Sequence, residues 1–307
     1  MNEKAINNCG IAYVLVTPAR NEEAHIDRTI RSVLSQTVLP RRWVIVSDGS
    51  TDRTDEIVKG YLATYPWITF IRMPENRDRN FAAKVTCFNA GYESLKNEQY
   101  DIIGNLDADT SFGPTYFEFL LEKFANIPEL GVGGTPFVEN GVRYDYRFVN
   151  IEHVSGACQL FRRQCFEAIG GYSQIKGGGI DWVAVTTARM KGWKTRTFTE
   201  QTYEHHRKIG TGKSSVFLSK FRFGKQDYYL GGHPIWEIFR CLYQMKSRPY
   251  VIGGAMLYVG YLWAWLSRVE RPISPQLMDF RRKEQMQRLK VFLGKVVRLR
   301  VSGFESF

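Results

Sequence analysis

Residues 43–71, WVIVSDGSTDRTDEIVKGYLATYPWITFI, carry the pattern that decides the fold. The apolar run 43–46 ends in the turn-forming Asp48-Gly49-Ser50. Ile57, Val58, Tyr61, Leu62 and Tyr65 then recur at helical spacing, and a second apolar run occupies 68–71. This reads as strand, helix, strand. The same alternation extends outward in both directions. Upstream, residues 11–16 form an apolar run closed by Thr17-Pro18, and Ile26, Ile30, Val33 and Leu34 mark one helix face. Downstream, Phe81, Val85, Phe88, Tyr92 and Leu95 mark another helix, and 102–106 a fourth strand. Short buried strands separated by crossover helices predict an α/β fold whose mostly parallel sheet is covered on both faces. Such sheets bind ligands at the carboxyl ends of their strands.

Further along, the pattern loosens. Residues 131–134 read as a strand, 141–147 as hairpin-like, 156–161 as a strand, 181–191 as a helix and 194–198 as a strand. The alternation stops near residue 210, which predicts a domain over 1–210 and a different, helical region over 211–307. Within the latter, residues 250–266 (YVIGGAMLYVGYLWAWL) hold no charge and are bracketed by Arg248 and Arg268. Their length reaches only the lower limit of a spanning helix, and the glycines and aromatics equally suit an interfacial or re-entrant segment. The 307-residue chain carries a net charge of +11, and residues 268–307 alone hold ten Lys/Arg against four Asp/Glu. Phe280, Met286, Leu289, Phe292 and Leu293 interleave with those cations, as in a basic amphipathic helix on anionic lipid. A hairpin packed on the core with a solvated basic face is the plainer reading. Five cysteines without a C-x-x-C pair, and an N-terminus without a secretory pattern, predict a reducing cytosolic setting.

Candidate chemistry sits at the predicted strand ends. Asp48 is placed to accept a hydrogen bond from a nucleobase or ribose, although Ser50 or Asp52 opening the next helix explains the same stretch. Asp107 and Asp109 follow the fourth strand. Two carboxylates so close cannot both be buried unpaired, and Mn²⁺ or Mg²⁺ shared with substrate phosphates resolves the conflict. A solvated acidic turn competes with that reading. Gly177-Gly178-Gly179 precede Asp181 and Trp182 at a helix start. Asp181 is there either as a cap or as a catalytic carboxylate, and Trp182 as a sugar-stacking ring or as core. Of His205-His206-Arg207, adjacent histidines point apart in a strand, so at most one completes a metal site. Arg207 suits a diphosphate.

The order of these motifs resembles the family 2 glycosyltransferases over about residues 11–208. Pro18-Ala19-Arg20-Asn21-Glu22-Glu23, Asp48-Gly49-Ser50-Thr51-Asp52, Lys84 with Asn89-Ala90-Gly91, and Asp107-x-Asp109 carry the likeness. Arg162-Arg163, Gly170-Gly171-Tyr172 and Gly179-x-Asp181 with Arg189 and Gly192-Trp193 continue it. The tail, with Gly231-Gly232-His233-Pro234-Ile235-Trp236, Gly253-Gly254 and Glu284-Gln285-Met286, looks like a bacterial subgroup linked to exopolysaccharide assembly.

The resemblance implies a GT-A-like, Rossmann-related nucleotide-diphospho-sugar fold and an inverting reaction. Pro18, Ala19, Arg20, Glu22 and Asp48 would hold base and ribose, with Lys84 near the nucleotide. Asp107 would lie near ribose or metal, Asp109 would ligate Mn²⁺ or Mg²⁺, and Asp181 would be the general base. Trp182, His205, His206 and Arg207 would meet the diphosphate or acceptor. Two positions depart from the pattern: Ile180 replaces the usual Glu before Asp181, and Arg20 the usual Tyr before Asn21. The Gln-x-x-Arg-Trp motif of processive synthases is absent near residue 210, which implies one sugar per encounter.

The expected enzyme is a metal-dependent hexosyltransferase at the cytoplasmic face of a bacterial inner membrane. It would take a nucleotide-diphosphate sugar, UDP-sugar favoured, and a saccharide or lipid-linked acceptor at an anionic membrane surface. A polyprenyl-phosphate sugar synthase and a non-catalytic nucleotide-sugar scaffold are the alternatives. A pyrophosphorylase is disfavoured because no Gly-rich loop follows the first strand. No nucleic-acid partner is expected, because the excess charge lies beside apolar residues rather than on a nucleic-acid module.

Overall fold

The structure, a computed structural model, describes residues 10–75, 81–139, 141–143, 151–207, 216–246 and 249–304. The chain divides into two compact units, Met1–Ile209 and Gly210–Phe307.

The first unit begins β1 (Tyr13–Ala19), α1 (Ile26–Leu34), β2 (Arg42–Ser47), α2 (Thr54–Leu62), β3 (Ile68–Arg72), α3 (Phe81–Ser94), β4 (Ile102–Leu106). It continues β5 (Thr110–Ser111), α4 (Tyr116–Asn126), β6 (Leu130–Gly134), β7 (Phe137–Glu139), β8 (Val142–Arg143) and β9 (Cys158–Arg162). The last elements are α5 (Arg163–Ile169), α6 (Ile180–Met190), β10 (Lys194–Thr197) and β11 (Tyr203–His205). Seven strands form one sheet in the order β10-β6-β9-β4-β1-β2-β3. Neighbours run parallel except that β9 is antiparallel to both β4 and β6. A mixed, mostly parallel sheet is therefore observed.

Period-two alternation sorts the core into two layers. Tyr13, Leu15, Trp43 and Ile45 face one way, against Ile26, Ile30 and Val33 of α1 and Phe117, Leu120 and Phe124 of α4. Val14, Val16, Val44 and Val46 face the other way, against Phe88 of α3, Phe166 of α5 and Val185 of α6. Burial on both faces explains why these strands are continuous apolar runs.

β1 pairs with β2 on one side and with β4 on the other, so the chain order reverses between β1 and β4. The crevice at such a reversal is where open α/β sheets take their ligands. A second, small sheet in the order β5-β11-β7-β8 lies beyond β4. Its β7–β8 pair, Val138 opposite Arg143, accounts for the start of the expected hairpin. Residues 144–147 of that hairpin, the composition change near 210 and Cys9 with the N-terminal stretch all lie outside the described residues.

The second unit is helical: α7 (Val216–Tyr229), α8 (Pro234–Gln244), α9 (Ile252–Leu266) and α10 (Pro275–Phe304). Pro234 sits at the first turn of α8, where its missing N–H costs nothing, and His233 Nδ1 accepts the Ile235 N–H at 3.2 Å. The glycines of the 250–266 run have a packing purpose. A Cβ on Gly260 would strike the Phe221 carbonyl of α7, and one on Gly254 the Cys241 carbonyl of α8. The 15 residues of α9 rise about 22 Å, short of the ~30 Å hydrocarbon core. Among the described residues no helix is long and apolar enough to cross a membrane. α10 also departs from a simple amphipathic helix, because its inward face buries Arg281 and Gln285 between Leu277 and Leu289.

Candidate functional site

The loops after β1 and β2 are laced together at the reversal point. Ser50 Oγ accepts the Asn21 N–H at 3.2 Å, Thr54 Oγ1 the Glu22 N–H at 2.7 Å, and Asp52 Oδ2 the Glu23 N–H at 3.0 Å. Asp52 Oδ1 also accepts the Thr54 N–H at 3.0 Å, one residue ahead of Arg53, the N-cap of α2, so Asp48 takes no part in opening that helix. Gly49 has φ +59°, and the Glu75 backbone fills the space a Cβ would need, so no other residue fits this turn.

These loops form one wall of a cavity of about 600 Å³. Pro18, Ala19, Arg20 and Glu22 line it from β1, Asp48 from β2, Ala83, Lys84 and Cys87 from α3, and residues 107–109 from the end of β4. Lys176 and Arg207 complete it. The volume is that of a small-molecule site. Arg20 Nη1 donates to Asp48 Oδ2 at 2.9 Å, which places a planar guanidinium where the family pattern has an aromatic ring. Burial, then the charge of Asp48, pushes the Cys87 thiol to about 12, so it meets the cavity as a neutral group.

Asp107 and Asp109 differ in their surroundings. Lys84 Nζ donates to Asp107 Oδ1 at 2.5 Å. Burial lowers the Lys84 ammonium, but Asp107, with Asp181 and Asp109 beyond it, outweighs burial and holds it above its ordinary value. Asp107 is itself raised by burial and by the like charge of Asp109, against the pull of Lys84. The turn that carries both carboxylates is pinned by the Thr29 hydroxyl of α1, 2.8 Å from the Ala108 carbonyl and 2.7 Å from that of Thr110.

Asp109 is buried and faces His205 Nε2 at 3.6 Å and Arg207 Nε at 3.9 Å. Arg207 is held mainly by Glu22, whose Oε2 accepts its Nη2 at 2.6 Å. Burial and the neighbouring Asp109 charge nevertheless raise Glu22 to about 8, with Arg207 opposing.

One ligand atom each from Asp107, Asp109 and His205 lies within 4.8 Å of the others. Among the described residues His205 Nδ1 is buried with no hydrogen-bond partner. Two carboxylates and an imidazole with an orphaned nitrogen fit a divalent cation. β11 brings His205 here by pairing antiparallel with β5, His205 opposite Thr110. His206 turns the other way, its Nε2 2.8 Å from Ser111 Oγ and its Nδ1 3.1 Å from Arg28 Nη1, so it is not part of the cluster.

Asp181 and Trp182 are half-buried and do not line the cavity. The helix-cap reading of Asp181 is corrected: Gly179 is the cap of α6, and Asp181 stands in the first helical turn. Its Oδ2 accepts the Gly156 N–H at 3.2 Å and lies 3.7 Å from His153 Nε2. Gly156 also links back to the acidic turn, because Asn105 Nδ2 donates to its carbonyl at 2.5 Å. Lys176 and His153 are among the site residues that the sequence reading passes over. Lys176 belongs to no motif, and His153 meets Asp181 only through the tertiary fold.

Comparison with known proteins identifies the family and the fold. The glycosyl transferase family 2 model matches residues 14–175, more than half of the chain, and the chain belongs to that family. The poly-beta-1,6-N-acetyl-D-glucosamine synthase of Staphylococcus aureus (strain COL) is 30% identical over 192 residues, 62% of this chain and 43% of that protein. The chain thus spans less than half the length of the curated relatives it matches. Among solved structures, the mannosyltransferase PcManGT from Pyrobaculum calidifontis, in complex with GDP-Man and Mn²⁺, aligns with TM-score 0.55 at 16% identity, over 97% of this chain and 83% of that one. S. aureus TarS 1-349 in complex with UDP-GlcNAc aligns with TM-score 0.51 at 14% identity, over 85% of this chain and 74% of that one. At these identities the likeness is one of fold, and the fold is GT-A-like.

Proposed function

We propose that this family 2 glycosyltransferase moves one sugar from a nucleotide-diphosphate sugar, UDP-sugar favoured, to a hydroxyl of a lipid-linked saccharide, with inversion. The observation that carries this reading is the meeting of Asp107, Asp109 and His205 at the sheet's reversal point, with both carboxylates lining a cavity of nucleotide size. Pro18, Ala19, Arg20, Glu22 and Asp48 hold base and ribose, and the Arg20–Asp48 pair offers a flat cationic face to the base. Asp107, Asp109 and His205 hold the cation, and the imidazole ligand favours Mn²⁺ over Mg²⁺. When bound, that cation neutralises the charge that develops on the departing diphosphate. Lys84 fixes the Asp107 carboxylate, and Arg207 and Lys176 add positive charge at the cavity wall.

Asp181 accepts the proton of the acceptor hydroxyl as its oxygen bonds to the anomeric carbon. The bond from that carbon to the diphosphate oxygen breaks, and its electron pair leaves with the diphosphate. A single displacement needs an acceptor on the face opposite the leaving group, and the seat of Asp181 outside the nucleotide cavity supports that division. A hydroxyl needs a base, whereas a phosphate acceptor is already ionised, so Asp181 favours the saccharide over polyprenyl phosphate.

We place the reaction at the cytoplasmic face of a bacterial inner membrane, on the strength of the apolar and basic C-terminal unit. Its exposed side chains include Ile252, Trp263, Trp265 and Leu266. The test is a panel of nucleotide sugars with Mn²⁺, following nucleoside diphosphate release and melting temperature. The true donor raises the melting temperature and is consumed only when a saccharide acceptor is supplied. Polyprenyl phosphate acting as sole acceptor would overturn the acceptor assignment.

A further inference from the structure

The C-terminal unit holds a second cleft, of about 260 Å³, that no step above uses. Pro234 and Ile238 of α8, Tyr258, Tyr261, Leu262 and Trp265 of α9, and two arginines, Arg271 and Arg282, line it. The arginines set it apart. Arg271 Nε donates to the Tyr228 carbonyl at 3.3 Å, and its guanidinium lies 4.3 Å from the centre of the Tyr228 ring. Arg282 Nε donates to the Gly231 carbonyl at 3.2 Å.

Each guanidinium is therefore anchored through Nε. Among the described residues no ion pair to a carboxylate is found for either. Other arginines of the same unit are paired: Arg240 and Arg281 with Asp227, and Arg288 with Glu284. Two half-buried guanidiniums in one cleft without a counter-charge are unfavourable alone and complementary to an anion with several acceptor oxygens.

The mouth of the cleft is apolar. Of its lining side chains Ile238 and Trp265, the latter 57% exposed, reach solvent, and their chain neighbours Ile235 and Leu266 are exposed as well. An inorganic anion would gain nothing from that rim, whereas the hydrocarbon of an amphiphile would, and Trp is a residue of membrane–water interfaces.

We propose that Arg271 and Arg282 bind the phosphate head of a membrane lipid, with Ile238, Leu262 and Trp265 against the start of its tail. This deepens the membrane placement proposed above and rests on it. The lipid docks as an anchor for the unit, and no chemistry occurs there.

The test uses the full chain and a short-chain phosphatidic acid below its micelle concentration, with inorganic phosphate and the matching diacylglycerol in parallel. Saturable binding and a raised melting temperature are expected with phosphatidic acid alone. Arg271→Gln with Arg282→Gln should weaken that binding about tenfold or more. Arg271→Lys with Arg282→Lys, which keeps charge but loses the planar fork, should fall between. Lys283→Gln with Lys290→Gln, an equal charge loss on exposed positions of α10, should leave the binding unchanged. A melting temperature and a far-UV helix signal equal to the parent's in the absence of lipid certify that each variant is folded.

Equal binding of inorganic phosphate, or undiminished binding in the double Gln variant, overturns the site. Co-sedimentation with phosphatidylcholine vesicles, with and without phosphatidylglycerol, separates binding to a membrane from binding of the phosphate head. A chain that sediments with anionic vesicles yet ignores short-chain lipid keeps the membrane and loses the site. A chain that sediments with neither vesicle loses the membrane reading itself.

Discussion

The two clefts of this protein handle charge in opposite ways. In the sheet cleft, Lys84 is answered by Asp107, Arg20 by Asp48 and Arg207 by Glu22. In the helical unit, Arg271 and Arg282 are held by backbone carbonyls. A site whose charges are already paired must rearrange to admit a charged ligand, and so discriminates by what the ligand offers in exchange. A site with spare positive charge is organised beforehand for any suitable anion and selects by shape and apolar contact. Chemistry belongs in the first kind of site and anchoring in the second.

The comparison breaks most visibly at Asp109. Among the described residues its ion pairs are long, with His205 Nε2 at 3.6 Å and Arg207 Nε at 3.9 Å, which suits the proposed role of holding a cation. Asp109→Asn is expected to reduce sugar transfer about 10³-fold or more in the presence of Mn²⁺. The melting temperature without metal should hold or rise, because the like charges of Glu22 and Asp107 are relieved. Nucleoside diphosphate release and thermal melts read the two effects. Retained activity would show that the acidic turn is structural.

Next in size is Asp181→Asn, which changes no residue lining the nucleotide cavity and removes only the proposed proton acceptor. It should lower kcat by about 10²- to 10⁴-fold with donor affinity changed by less than about threefold. An equal loss of donor affinity would place Asp181 with the nucleotide instead.

The helical unit has its own buried acid. Burial raises Glu237 to about 7, with Arg281 opposing. Its folded pKa exceeds the unfolded value near 4.5. The stability it contributes is therefore complete below pH 4.5 and lost as pH rises to 7. That shift corresponds to about 3 kcal/mol across the window. Glu237→Gln should flatten this part of the melting profile measured between pH 5 and 8, whereas Glu284→Gln at the partly exposed pair on α10 should not.

What the sequence made legible follows the same division. β1 to β4 and α1 to α3 were readable because a sheet buried on both faces leaves continuous apolar runs between helical stripes. The acidic turn, Asp48 and the Pro18–Glu22 stretch were readable because parallel strands put their ends on one edge. The antiparallel insertion of β9 between β4 and β6 left no such trace, since strand order is a non-local property. The same holds for β11, three residues long, whose pairing with β5 carries His205 to Asp109. In α9 the run is apolar all round, so periodicity could not separate the glycines that pack inward from the tryptophans that face out. Asp181 was legible as a carboxylate near a helix start, but its contact with Gly156 and His153 was not.

That contact yields the smallest and most discriminating prediction. Gly156 donates its N–H to Asp181 and takes the Asn105 side chain on its carbonyl, so it stands between the acidic turn and the proposed base. A Cβ at this position would lie 2.8 Å from Asp181 Cβ and 3.2 Å from its Cγ, closer than side chains approach. Asp181 Cβ is fixed to the backbone of the first turn of α6, so that turn must shift by a few tenths of an ångström and carry the carboxylate with it. Gly156→Ala should therefore displace the carboxylate without unfolding the unit. A small misplacement of a catalytic base costs about 10- to 100-fold in kcat. Donor binding depends on the other side of Asn105 and should stay close to that of the parent. If kcat and donor affinity fall together, Gly156 supports the acidic turn as well, and the two functions of the sheet cleft are one structural unit. If kcat alone falls, nucleotide holding and proton transfer are separable, as the seat of Asp181 outside the cavity implies.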